Sequence, residues 1–179
     1  MKGIVFNLLE HVVTDEFGAD TWDDLIDIAG VDGVYTSLGS YPDEDLGKLV
    51  MAASEKTGMT PDDIVRWFGE RTLPIFAERY PDLFTAHANT REFLLHLNDV
   101  IHPEVKKLYP GAATPSFSYD TSSPDVLVME YRSGRHLCSF AEGLVSGTAE
   151  HYGEALAIDH DTCMKRGDDR CVLAVSHPG

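Results

Sequence analysis

Through the first hundred residues, apolar positions recur at helical spacing. Val5, Leu8, Leu9, Val12 and Val13 fall on one face of a helix over residues 3–17. Asp20, Asp23 and Asp24 around Trp22 open a second, short helix, with acids at its positive end. Residues 30–39 are turn-rich. A third helix starts at Pro42-Asp43-Glu44-Asp45, is carried by Leu46, Leu49, Val50 and Ala53, and stops at Gly58. Thr60-Pro61-Asp62-Asp63 is a strong start signal: a threonine cap, proline at the first helical position, acids after it. That helix runs through Ile64, Val65, Trp67 and Phe68. Pro74 predicts a kink or restart in it, and Pro81 its end. One long helical pattern then begins near Asn89 and reaches Leu108.

After Pro110-Gly111 the period changes from helical to alternating. Ser116-Phe117-Ser118-Tyr119 and residues 126–131 read as strands, joined by the turn-prone Asp120-Thr121-Ser122-Ser123-Pro124. Residues 137–152 return to helical spacing, with Phe140, Leu144, Val145 and Thr148 on one face. Residues 155–159 and 171–175 are two further strands, and Gly167-Asp168-Asp169 suits a hairpin turn between them. Helices first, then strands, means α+β: an N-terminal helical subdomain and a four-stranded, mostly antiparallel sheet with an inserted helix. The expected organisation is one domain over 1–179, with a helical lobe at about 1–85 and a second lobe at about 86–179.

The totals narrow the function. The chain has 179 residues, 43% of them apolar and 25% charged, which is ordinary for one globular domain. A net charge of -16 argues against nucleic acid or an anionic membrane as partner, since both require a basic patch. The acidity reads as a solubility or high-salt device, with an acidic docking face for a basic partner as the lesser alternative. Asn7 and Glu10 interrupt the first apolar run, so the opening residues are not a secretory signal. No run approaches the roughly 18 apolar residues a membrane helix needs. Three cysteines, an odd number and all late, point to a reducing cytoplasm and thiolate chemistry.

Two groups of residues carry chemistry. His102 lies on the inward stripe of its helix with Leu95, Asn98 and Val105, so its imidazole needs a partner. A backbone carbonyl or buried water would serve; so would a metal, most simply haem iron. Tyr131, Ser133 and Arg135 are spaced two apart where a strand ends. Alternation would put two hydroxyls and a guanidinium fork on one side, a clamp for carboxylates or phosphate, or else an ordinary polar strand end. A haem needs one imidazole and a clamp for two propionates. Pro103, directly after His102, deprives the Asp99 carbonyl of its donor and predicts a bend there. The second group is Cys138 with His160, Cys163 and Cys171. Three thiolates and an imidazole make a closed, structural tetrahedral zinc site. The alternative is three reduced cysteines in a small core beside an exposed His160. A hydrolytic metal centre would need an open position and a general base, which this set does not leave.

On these residues the chain resembles the haem nitric-oxide/oxygen-binding (H-NOX) domain, as a bacterial stand-alone member related to the haem domain of soluble guanylate cyclase. The resemblance rests on Met1-Lys2-Gly3, on His102 with Glu104-Val105 and Lys107-Leu108-Tyr109, on Pro115, on Tyr131-x-Ser133-x-Arg135, and on Cys138 with Ala141-Glu142-Gly143. It implies haem b between the two halves, His102 as the axial ligand of the iron, and Tyr131, Ser133 and Arg135 on the propionates. It also implies that Pro115 presses the porphyrin out of flatness. Oxygen-binding members carry a distal tyrosine where Phe140 stands here. With Val5, Leu9 and Leu144 the distal pocket is apolar, so NO and CO are the expected ligands, without a stable O2 complex. Some members share the Cys138, His160, Cys163 and Cys171 set as zinc. The implied role is a cytoplasmic sensor rather than an enzyme. NO releases His102, and the signal passes to a separate protein, a histidine kinase or a cyclic-di-GMP enzyme. The competing class is a zinc-stabilised, thiol-redox-responsive regulatory module without haem.

Overall fold

A computed structural model describes residues 1–178. Helix α1 (Gly3–Phe17) has no side-chain cap at its start. Its free donors are met by the turn-rich loop: Gly3 N–H donates to the Gly39 carbonyl and Ile4 N–H to Ser37, both at 3.0 Å. Only glycine fits at position 3, where a Cβ would lie 1.9 Å from the Thr36 oxygen. Helices α2 (Ala19–Ala29) and α3 (Asp43–Thr57) stop at left-handed glycines, Gly30 and Gly58. Helix α4 (Pro61–Arg79) is capped as its sequence predicts, with Thr60 Oγ1 accepting from Asp63 N–H at 3.2 Å.

Two expectations about helices need correction. Pro74 does not restart α4, which runs on as one helix to Arg79. Helix α8 (Cys138–His151) packs closely on α4 over the turns that precede the proline, where Gly143 and Gly147 approach Arg66, Glu70 and Leu73. The pattern over residues 89–108 is not one helix. It divides into α6 (Thr90–Leu95), a π-helical turn (Leu97–Ile101) and α7 (His102–Leu108), after a short α5 (Pro81–Thr85). The break predicted from Pro103 is there, but it falls in the turn before His102, which is itself helical (φ -65, ψ -37). A wider turn relieves the crowding of the proline ring against the preceding carbonyls and absorbs the missing donor.

The sheet is wholly antiparallel, in the order β1-β2-β4-β3: β1 (Ser116–Asp120), β2 (Val126–Arg132), β3 (Ala157–Thr162) and β4 (Cys171–Ser176). Leu127, Met129 and Tyr131 pair with Val175, Leu173 and Cys171, and all six are buried on one face. β3 starts and ends later than its apolar residues suggest. The β3–β4 connection is a 3-10 turn (Met164–Arg166) closed by left-handed Gly167, where the sequence predicted a hairpin at 167–169. Asp168 accepts from Cys163 N–H at 2.7 Å and sets that loop.

The core has two parts. One gathers α1, α2, α3 and the first half of α4; the other gathers the end of α4, α5, α6, α8 and the inner face of the sheet. Helix α8 belongs to the second through Ala141 and Val145, and meets the first through Phe140. No helix among the described residues is long and apolar enough to cross a membrane.

Candidate functional site

His102 is the first residue of α7, half-buried, with its ring stacked on Phe117 of β1 (centroids 5.9 Å apart, 27° between planes). It makes no hydrogen bond among the described residues. Burial, and then the charge of Lys106 one turn on, push its pKa down to about 4, so the imidazole is neutral. It is a free nitrogen donor in an apolar setting, the state in which imidazole binds a metal.

Four polar residues to which the sequence gave no role position its helix. The Asn98 side-chain amide donates to the Phe117 carbonyl at 2.6 Å and accepts from Phe117 N–H at 3.2 Å. The Tyr119 hydroxyl donates to the Leu94 carbonyl at 2.6 Å, and burial raises its pKa, so it stays a donor. At the far end of α7, Tyr80 and Tyr109 hydroxyls meet at 2.8 Å; burial and that contact push Tyr109 up to about 12. The only sign of this in the sequence is an asparagine on an inward stripe, which must find a partner.

Tyr131 is buried near the end of β2, between Phe117 and Cys171. Burial raises its pKa, with the Ser133 hydroxyl beside it acting in the opposite sense, and the phenol remains a donor. β2 ends at Arg132, so strand alternation does not set Ser133 and Arg135; a turn does, with His136 in the left-handed region (φ 54). Arg135 N–H donates to Ser133 Oγ at 3.2 Å. The Arg135 guanidinium donates to Asp43 at 2.8 Å and to the Ala113 carbonyl at 2.9 Å. The other Asp43 oxygen takes the Met1 ammonium. Burial would raise the Asp43 pKa, but the hydrogen bonds from Met1 and Arg135 outweigh it and hold the carboxyl low. Pro115 stands at the entry to β1, two residues before Phe117.

Of the four residues expected on the distal side, Val5, Leu9 and Phe140 belong to the first core cluster, and Phe140 leans on Phe68 (5.1 Å, 37°). Leu144, one turn further along α8, packs on the second cluster. None carries a hydrogen-bond donor on its side chain.

The four candidate zinc ligands do come together. One ligand atom from each of Cys138, His160, Cys163 and Cys171 lies within 4.8 Å of the others. The Cys138–Cys163 and Cys163–Cys171 sulfurs are 3.7 and 3.9 Å apart. A tetrahedron with metal–sulfur bonds of about 2.3 Å has edges of about 3.8 Å. His160 is not the exposed residue of the alternative reading. Its Nδ1 meets Glu142 and its Nε2 is buried without a partner among the described residues. Glu142 also takes Arg66 at 2.7 Å. Burial raises its pKa, yet the hydrogen bonds from His160 and Arg66 hold it low. A histidine oriented by a carboxylate, with its other nitrogen unclaimed, is the usual support of a metal ligand. Burial pushes the Cys138 thiol up to about 12, while Cys163, despite burial, is held low by the Lys165 N–H and the neighbouring thiols.

This helical-plus-sheet fold is that of a haem-based gas-sensor domain. Residues 2–160 match the family model described as Haem-NO-binding. The chain is similar to an H-NOX protein from S. oneidensis, solved in the Fe(II)NO ligation state, with 34% identity, a TM-score of 0.92 and complete coverage of both chains. It is likewise similar to the Fe(II) unliganded H-NOX protein from K. algicida (29% identity, TM-score 0.89, 100% of this chain and 97% of that one). Soluble guanylate cyclase 89Db of Drosophila melanogaster is 27% identical over 139 residues, covering 75% of this chain and 20% of that protein. The chain thus spans about a fifth of the length of the curated relatives it matches. The protein belongs to the Haem-NO-binding (H-NOX) family. H-NOX domains bind haem, take gas ligands and signal to partner proteins, and are not catalytic by themselves. The family match ends at His160, so Cys163 and Cys171 lie beyond it.

Proposed function

We propose that the protein is a haem-based nitric oxide sensor in which His102 holds the iron. The observation that carries this is a neutral, half-buried imidazole without a partner, at the head of α7. Haem b suits the rest of the site: Tyr131 and Ser133 would offer hydroxyls and Arg135 a guanidinium to the propionates, and Pro115 would be the residue that bends the porphyrin. Haem held by these residues would supply a ferrous iron able to take NO or CO.

The residues of the chain do the remainder. Val5, Leu9, Phe140 and Leu144 exclude water from the distal side and offer no hydrogen bond. Stable O2 binding relies on such a donor, whereas NO and CO need it much less. Asn98, in the turn before α7, and Tyr119, through Leu94 of α6, tie this segment to β1, and Tyr80 ties α7 to α4, so a change in what holds His102 would be passed to both. The two core clusters then shift relative to each other, a two-state element that the gas biases. A separate histidine kinase or cyclic-di-GMP enzyme reads the change in the cytoplasm. Zinc on Cys138, His160, Cys163 and Cys171 is structural. Oxidation of its thiolates would release it and loosen β4 beside Tyr131.

Absorption spectra of the ferrous protein test the reading. NO and CO each change the spectrum and O2 leaves no stable product. His102→Ala loses haem unless imidazole is supplied. A His102→Ala protein that keeps haem with the parent spectrum would falsify the assignment. A parent that takes up no haem would leave the zinc-stabilised thiol module instead.

A further inference from the structure

Away from both sites, His87 and His96 flank α6. His87 precedes the helix and His96 ends it. Each ring folds back onto the carbonyl four residues earlier: His87 Nδ1 lies 3.0 Å from the Leu83 oxygen, and His96 Nδ1 lies 2.7 Å from the Glu92 oxygen. A carbonyl only accepts, so both Nδ1 atoms carry the proton. In the neutral rings both Nε2 atoms then present lone pairs. Neither Nε2 has a protein partner among the described residues. An Nδ1–H bonded to a backbone carbonyl, with Nε2 free, is how metal-binding histidines are held.

The spacing fits chelation. With metal–nitrogen bonds of about 2.1 Å, an ion sits roughly 3.2 Å from each ring centre, so two rings at about 90–109° have centroids about 4.5–5.2 Å apart. The observed separation is 4.8 Å. His87 is steadied by the Phe93 ring, edge-on at 5.6 Å. His96 is exposed, which lets water complete the coordination. The nearby Glu92 carboxylate is taken by Ala88 N–H at 2.9 Å, so the donors are the imidazoles and not an acidic cluster.

We propose that His87 and His96 form a second metal site, open to solvent, for a borderline divalent transition ion of the Ni2+, Cu2+ or Zn2+ kind, and that the bound ion braces the approach to His102. Imidazole nitrogen selects these ions over Mg2+ and Ca2+. The net charge of -16 concentrates cations at the surface. The brace follows from the backbone. The His96 carbonyl accepts from Val100 N–H at 3.0 Å and from Ile101 N–H at 3.1 Å, and so begins the π-helical turn that delivers His102. An ion holding the His96 ring restrains that turn. The site itself does not depend on the haem reading.

The test is calorimetric titration of Ni2+ into the full chain, loaded with haem and with the Cys138 site saturated with zinc, at physiological salt. One saturable equivalent with a micromolar Kd is expected. His96→Gln weakens it at least tenfold, His87→Gln does the same, and His151→Gln leaves it unchanged. Being exposed, His96 carries the test if the His87 variant folds poorly. Ni2+ also slows hydrogen exchange of the amides at 97–101 several-fold. Absence of a saturable equivalent, or binding that survives His96→Gln and therefore belongs to surface carboxylates, overturns the site. Binding that leaves those amides unchanged overturns the brace.

Discussion

Asn98 gives the edge strand β1 what a further strand would have given: one donor and one acceptor, both to Phe117. Its amide thereby ties the turn before His102 to the ring on which His102 stacks. Asn98→Ala leaves a backbone N–H and C=O unpaired and costs about 1–3 kcal/mol, read from urea unfolding. Asn98→Asp keeps the acceptor, loses the donor and falls between the two. An asparagine on an inward stripe is legible as needing a partner. That the partner is Phe117 is not, because 19 positions and a change of secondary structure separate them. His160 is the same kind of case. Its spacing from Cys163 was readable, whereas its orientation by Glu142 and Arg66 comes from two helices packed beside it.

Among the elements, α4 and α8 make the closest packing in the fold. A Cβ at Gly143 would lie 2.0 Å from the Arg66 carbonyl oxygen, and one at Gly69 would lie 2.5 Å from the Phe140 oxygen. The helices touch backbone to backbone, and α8 thereby carries Phe140 to one core and Cys138 to the other. Gly143→Ala gains up to about 1 kcal/mol of helix propensity but forces the pair apart, with a net loss of about 2–3 kcal/mol. A lowered thermal midpoint checks it, and an unchanged midpoint would refute the close approach. Helix starts and stops at Thr60, Gly30 and Gly58 were readable because each is a local matter of caps and dihedrals. The π-helical turn was not, since Pro103 demands relief without saying where.

For the whole molecule, the scarce cations join the two halves. Arg135 pairs with Asp43, Arg66 with Glu142, and Lys165 with Asp62. Asp43 is the informative one, because it holds both the Met1 ammonium and the Arg135 guanidinium. Its pKa is depressed in the folded state, so its contribution is complete above the unfolded value near 4 and is lost as pH falls through the folded value. Asp43 is partly exposed, and the contribution is about 0.5–1 kcal/mol. The gap in thermal midpoint between the parent and Asp43→Asn is therefore constant above about pH 5 and closes below pH 4. A gap that does not narrow at all as pH falls below 4 would contradict the bridge.

Periodicity, caps and turn residues depend on neighbours a few positions apart, and they determined the α+β class, the order of elements and most of their ends. Motif spacing singled out His102, the Tyr131, Ser133 and Arg135 triplet, and the cysteines. Tertiary structure alone decided which nitrogens are left without partners among the described residues, namely the His102 ring, the His160 Nε2 and the Nε2 atoms of His87 and His96. It also set the distances that would let them act together as ligands. Those depend on where distant segments come to rest, and burial is a property of the packed chain, with no local pattern to announce it.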